Sequence, residues 1–355
     1  MTACDNAMQG AARRLMALLA LGWLGGWLGG WPVGSAVAAE APTHVRLTLE
    51  FRVYGGTAPI ILADERGYFR AAGIDAKIDG GTGSGEAIRR VASGAYDFGI
   101  ADVGTLVEFN ARNGAASPKV VMLLFDTAAH AIVSFKRAGI TKPADLAGRR
   151  LVTGQSDATA RIFPSFARIA RLDLKTVTVM PVDVRLRETM LLRGEADATM
   201  GYDYTILFNL LGQNIALDQT SVIDFADYGF AMYGNALIAS RAMIEQQPAI
   251  VRAVARAVAR GWVDSIADPA AAIRAVAKLD PLTPAELEQK RLQYVIDHHV
   301  VTEATRARGI GAYDPAKLEH TIRVIAEGFE LARSPAPDEI YDGRFLPDRA
   351  DRRFR

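Results

Sequence analysis

The chain is poor in cysteine, in histidine and in net charge. Its 355 residues hold one cysteine and five histidines, and 41 basic side chains stand against 40 acidic ones. One cysteine closes no intramolecular disulfide and supplies no thiolate-rich zinc site. Near-neutral charge leaves no sequence-wide footprint for nucleic acid. Neither a Gly-x-Ser-x-Gly elbow nor a His-Glu-x-x-His pair occurs. His298 and His299 are adjacent, and neighbours in a helix point about 100° apart, so they do not grip one ion. What the chain does have is apolar content, at 50%. That is too much for a disordered chain, and the length suggests about two domains.

Residues 1–39 read as a removable signal rather than as fold. Arg13 and Arg14 precede the apolar run Leu15–Trp31; Pro32 breaks it, and Ser35-Ala36-Val37-Ala38-Ala39 offers small residues at a cleavage site. Positive region, apolar core and small-residue exit are the layout of a secretory signal peptide. The alternative is an uncleaved anchor, since the run is at the lower limit for spanning a bilayer. The paired arginines admit a twin-arginine route, although their flanks favour general secretion. Removing Arg13, Arg14 and Asp5 leaves 39 basic and 39 acidic residues, and Cys4 goes with them. The expected product is a periplasmic protein without disulfides.

The remainder alternates short β-rich runs with helical patterns. Strand-like runs are Val45–Val53, Gly73–Ile78, Tyr96–Ala101 and Val120–Phe125, then Ile132–Phe135, Arg150–Thr153, Val177–Met180, Ala196–Met200 and Ala236–Ala239. Helical patterns lie between them, over Ala58–Phe69, Glu86–Ser93, Val103–Asn113, Ala158–Ala170, Asp183–Leu192 and Tyr204–Leu211. Such βα repetition with short connections predicts mostly parallel sheets covered by helices. After Asn235 the texture turns helical, over Pro248–Ile266, Pro269–Lys278, Pro284–His298 and Pro315–Ala332. Tyr341 and Phe345 anchor a polar tail, and Asp348–Arg355 is expected to fray.

Four segments, in order, carry a resemblance. Gly67-Tyr68-Phe69 with Gly73-Ile74-Asp75 is similar to a "GYF, spacer, G-I/L-D/E" signature. Val91–Ile100 matches "V-x-x-G-x-x-D-F-G-I"; Gly139–Arg150 resembles "G-I-x-x-P-x-D-L-x-G-K"; Leu192–Ala198 resembles "L-x-x-G-x-x-D-A". Together they resemble type II periplasmic substrate-binding proteins, in the branch that takes up nitrate, sulfonates, taurine and thiamine pyrimidine precursors. The resemblance spans about residues 45–240. It implies an α/β fold of two similar α/β lobes with a central cleft and two hinge crossings. Lobe 1 would be 40–128 and 235–355, and lobe 2 would be 129–234. It also implies hinge closure on a small-molecule ligand, with the membrane permease and ATPase of an ABC transporter as partners, and a monomeric protein without cofactor, metal or catalysis.

In open α/β sheets ligands sit beyond the carboxyl ends of the strands, where helix N-termini offer free N–H groups. Five strand-to-helix turns qualify, and they give the candidate ligand contacts Tyr54, Gly56, Thr57, Ser84, Gly85, Asp102, Val103, Gln155, Ser156, Tyr202 and Asp203. Tyr228, at the return crossing, joins them. The loop Gly80–Gly85 lacks the Gly-Lys-Ser/Thr of a phosphate loop and equally reads as turn glycines. The tyrosines either pack or face a flat ring. Asp102 and Asp203 either cap helices or face the cleft, where they would favour a ligand with amine or ring N–H donors. Arg161 and Arg185 are the nearest cations for an anion, and His130 is placed to reach the cleft.

Two other readings stay open. One is an enzyme of the thiamine-pyrimidine-synthesis type, whose cysteine-rich motif is missing here. The other is a sensor lobe presenting ligand to a membrane receptor. The ligand remains a thiamine pyrimidine precursor, another heterocycle, an aromatic acid or a sulfonate. The tail Ile340–Leu346 resembles that of the thiamine-pyrimidine branch.

Overall fold

The computed structural model describes residues 41–354, so the predicted signal segment lies outside the described residues. The described residues build ten strands. They are β1 (Thr43–Thr48), β2 (Ile74–Asp79), β3 (Phe98–Asp102), β4 (Lys119–Leu123), β5 (His130–Phe135), β6 (Arg150–Gly154), β7 (Thr178–Val182), β8 (Ala198–Tyr202), β9 (Thr220–Asp224) and β10 (Asn235–Ala239). They form two five-stranded sheets, ordered β2-β1-β3-β10-β4 and β7-β6-β8-β5-β9. These are the two α/β lobes. Their plan is the same, position for position.

Both sheets are mixed rather than mostly parallel. β10 runs antiparallel to β3 and β4, and β5 runs antiparallel to β8 and β9. The reason is the double crossing. The chain leaves the first sheet after β4 and enters the second through β5, and it comes back through β10. Each crossing strand fills the fourth position of the sheet it enters. The edge strand β9 has no counterpart in the pattern reading. It pairs only with β5 and leaves Val222 exposed, so it carries no continuous apolar run.

Helices α1 (Ala58–Glu65), α2 (Ser84–Ala92), α3 (Val103–Asn113), α4 (Ala158–Ile169), α5 (Arg187–Leu192) and α6 (Asp203–Leu211) each follow a turn at a strand's end. Predicted α1 ran to Phe69. It stops four residues earlier because Gly67 turns left-handed, at φ 73°. The predicted helix from Asp183 begins instead as a 3₁₀ turn over Val184–Leu186, capped by the Asp183 carboxylate.

The C-terminal segment adds α7 (Arg241–Gln246), α8 (Pro248–Ala267), α9 (Pro269–Leu279), α10 (Ala285–Val295), α11 (Glu303–Arg308) and α12 (Pro315–Gly328). α8 lies on α1 because Gly261 presses its bare Cα against Ala63 and the Pro59 carbonyl. Two of these helices also touch the second lobe. α12 packs on α3 and α4, where Ser165 Oγ donates to the Val324 carbonyl at 2.8 Å. α10 packs on α6, where Arg291 donates to the Tyr204 and Thr205 carbonyls at 2.9 and 3.1 Å. The tail does not fray as expected. The buried Arg352 donates to the Ile310 carbonyl at 2.9 Å, Phe354 is buried, and Tyr341 bridges to Val120.

Candidate functional site

The carboxyl ends of the parallel strands of both sheets meet in one cleft. After β1 the chain places Glu50, Phe51 and Tyr54 there; after β2 it places Thr82, Gly83 and Ser84. The second lobe answers with Asp157 after β6, Val184 and Arg187 after β7, and Tyr202 at the end of β8. Together they close a cavity of about 30 Å³, room for a water or two. Larger recesses open on either side, of about 460 and 420 Å³, and Phe51 and Val184 border all three.

Glycines let the walls approach. Gly81 lies against the Leu49 carbonyl. Gly83, at φ 143°, brings its Cα against the Ser156 carbonyl of the opposite lobe, where a Cβ would collide. Gly56 leaves space that a Cβ would fill, 2.7 Å from the Tyr54 hydroxyl and 3.0 Å from the Tyr204 ring. Those two rings lie nearly parallel with centroids 6.3 Å apart, and Tyr202 adjoins Tyr204 at 5.6 Å. The result is an aromatic row, Phe51-Tyr54-Tyr204-Tyr202, running from one lobe to the other.

The polar groups divide into satisfied and unsatisfied ones. Tyr202 reaches across to lobe 1 and donates to Asn235 Oδ1 at 2.8 Å. Ser84 Oγ accepts the Asp102 N–H at 3.1 Å. Arg187, buried, donates to Asp157 at 2.8 Å, to Glu188 at 2.7 Å and to the Met200 carbonyl at 3.2 Å. Gly201 makes room for that guanidinium. By contrast Glu50 Oε2 and the Tyr54 and Tyr204 hydroxyls are buried without a hydrogen-bond partner. A buried polar atom without a partner is costly, so each such atom calls for an explanation.

Burial sets the protonation states. It pushes the Glu50 carboxyl up to about 8, opposed only by its own backbone amide. It also raises Asp157, with Arg187 pulling the other way. The Tyr202 and Tyr204 hydroxyls lie well above their ordinary range through burial, helped by nearby carboxylates. They remain neutral donors.

Behind the cavity the lobes are joined by two buried carboxylate–histidine contacts. Asp102 of lobe 1 lies 3.1 Å from His130 Nε2 of lobe 2, and His130 Nδ1 lies 3.0 Å from Thr159. Asp203 of lobe 2 lies 3.0 Å from His299 Nε2 of the C-terminal segment and accepts from Tyr294 at 3.0 Å. Asp102 is the last residue of β3, and Asp203 is the first residue after β8.

The expected residues therefore sort by place. Tyr54, Ser84 and Tyr202 line the cavity. Gln155 and Ser156 border its outer recess. Asp102 caps α3 through the Thr105 N–H, and Asp203 stands at the start of α6; both carboxylates lie in the histidine contacts. Gly56, Thr57, Gly85 and Val103 are buried supports of the turns. Tyr228 stands edge-on to Phe166, away from the cavity. Of the cations considered, Arg185 is exposed beside Asp183, and Arg161 pairs with Glu108. Pattern reading missed Glu50, hidden inside a supposed strand to Val53, and Arg187. Arg185 and Arg187 lie about 200° apart on a helix, so only one could face inward.

Comparison with known proteins agrees with this architecture. The family model described as NMT1/THI5 like matches residues 56–272. No curated protein matches the chain. Among solved structures, the alkanesulfonate-binding protein SsuA from Xanthomonas axonopodis pv. citri, bound to MOPS, is similar at TM-score 0.62 and 14% identity. That match covers 87% of this chain and 96% of that one. The periplasmic nitrate-binding protein NrtA from Synechocystis PCC 6803 is similar at TM-score 0.61 and 10% identity, covering 86% and 87%. The desulfurization enzyme DSZB is similar at TM-score 0.54 and 15% identity, covering 85% and 97%. At such identities the likeness is one of fold. With its family model matched over most of the described residues, its two lobes and its periplasmic-binding-protein fold, the chain belongs to the NMT1/THI5 like family.

Proposed function

We propose that the chain is the periplasmic solute-binding component of an ABC importer, and that it closes its two lobes around a small, flat organic ligand. One observation carries the reading: Glu50 and Tyr54 of one lobe and Tyr204 of the other hold buried polar atoms without partners. A ligand between the lobes would supply those partners. The aromatic row offers ring faces and so favours a heterocycle, such as a thiamine pyrimidine precursor, or another aromatic ligand. Binding without catalysis is the simpler reading. Ser84, the serine of the cavity, is bonded to a backbone amide and has no base beside it.

At about 30 Å³ the cavity is smaller than any organic ring, so the ligand enters by hinge opening and fills a widened cleft. The predicted signal peptide supplies the export, and the permease and ATPase would receive the loaded protein. The test is to purify the exported chain without denaturation, release what it carries and identify it by mass spectrometry. A stoichiometric small molecule that raises the melting temperature on re-addition supports the reading. A chain that carries nothing, and that no compound from a broad panel of pyrimidines, aromatic acids and sulfonates stabilises, contradicts it.

A further inference from the structure

We infer that the interlobe site selects a ligand bearing a protonated nitrogen, an ammonium or amidinium group seated on the Glu50 carboxylate, and rejects oxyanions. This rests on the reading of the cleft as the ligand site and goes beyond it by naming the class of ligand. The alkanesulfonate- and nitrate-binding neighbours share the fold; the cavity chemistry belongs to this chain's own side chains.

Arg187, the cation that lines the cavity, is already committed; Arg52 borders the outer recesses and Arg161 pairs with Glu108, its Nε buried without a partner. Arg187 is shared between Asp157 and Glu188. Arg291, whose guanidinium lies 5.3 Å from the Tyr54 ring centroid, pairs with Glu288 at 2.9 Å and with two carbonyls. Arg90, below the end of β1, binds Glu86 at 2.6 Å, Thr48 Oγ1 and the Gly80 carbonyl. The tyrosines of β8 and α6 are neutral. Two carboxylates thus share Arg187, and Glu50 faces the cavity with no counter-ion. An arriving oxyanion would meet the two carboxylates that share Arg187, and the ionised Glu50 as well once the pH passes about 8. A cation would meet a carboxylate, the oxygen of Tyr54 as a further acceptor, and the ring faces of Phe51, Tyr54 and Tyr202 that line the cavity.

The site also predicts a proton count. Burial keeps Glu50 protonated near neutral pH. A bound cation stabilises the carboxylate, so binding expels that proton. Cation affinity then rises with pH, by up to about tenfold per unit, and levels off once the free protein has lost the proton at about 8. An oxyanion behaves oppositely. It requires the neutral acid and weakens as pH rises.

Isothermal titration calorimetry on the full exported chain tests this with two probes, benzamidinium and methanesulfonate. Each is titrated at several pH values in buffers of different ionisation enthalpy. The expected result is benzamidinium binding with proton release and affinity climbing toward alkaline pH. Glu50→Gln should abolish both the binding and its pH dependence. The proton count on the unaltered chain stands independently of whether that variant folds. Methanesulfonate binding with proton uptake would overturn the cation class while leaving the solute-binding reading intact. Failure of benzamidinium to bind above about pH 8 also overturns it. The solute-binding reading would then still be decided separately, by the ligand recovered from the native protein.

Discussion

At the scale of the residue, Glu50 sets the electrostatic character of the cleft and is also a liability to the fold. Folding moves its carboxyl from an ordinary value of 4.5 to about 8. As pH rises the unfolded chain gives up this proton first. Between those two values the folded chain holds a proton that the unfolded chain has lost. Stability therefore falls across that window, by at most about 1.4 kcal/mol per pH unit, and the loss is complete above it. Glu50→Gln keeps the shape and removes the titration. In urea unfolding of the empty protein the variant is expected to gain on the parent as pH rises from about 5 to about 8, by a few kcal/mol in all. Parallel curves for the two proteins would show that Glu50 ionises freely. Legibility in the sequence divides at this same scale. Tyr54, Ser84 and Tyr202 were readable because each adjoins a turn rich in glycine at a strand's end. Glu50 was not, because the alternation from Val45 seemed to run on to Val53, whereas β1 ends at Thr48.

At the scale of the element, the turns that follow the strands decide how far the lobes can close. The β2–α2 turn touches the β6–α4 turn through Gly83 and Ser156, backbone against backbone. A side chain at Gly83 must push the lobes apart, and its φ of 143° disfavours any L residue. Gly83→Ala is expected to leave the fold intact and to weaken binding of the natural ligand by tenfold or more, about 1.4 kcal/mol. Gly94→Ala is the control. Its φ of 76° carries a milder left-handed strain, and nothing lies within 4 Å of the added methyl group. Equal affinity in both variants would mean that this contact plays no part in closure. Helices with strong local signals, such as α3 and α4, were legible to within a residue or two. The crossing strands β5 and β10 were legible as strands but not as antiparallel ones, and β9 was not legible, because pairing is set by partners far along the chain.

At the scale of the whole molecule, the C-terminal segment belongs to both lobes. α10 holds α6 through Arg291, α12 holds α4 through Ser165, and His299 meets Asp203 across the hinge. The two lobes should therefore unfold together. A chain beginning at Glu40 keeps one tryptophan, Trp262, buried in the first lobe's core. Its fluorescence follows that lobe, while far-UV circular dichroism follows both. Coincident urea transitions are expected, and separated ones would show that the bridging contacts are weak. The two-lobe plan itself was legible from βα alternation and four ordered motifs. The mixed sheets and the anchored tail were not, since both depend on contacts between distant segments.

We propose that a small ligand lies between the lobes, against Glu50 and the aromatic row. The most direct test is a crystal structure of the exported protein with the ligand it retains through native purification. That ligand is expected in contact with Glu50 and Tyr54 on one side and with the Asp157–Arg187 wall on the other. A ligand seated instead in the groove beside α8, between Tyr68 and Arg256, with the interlobe cavity unchanged, would contradict it.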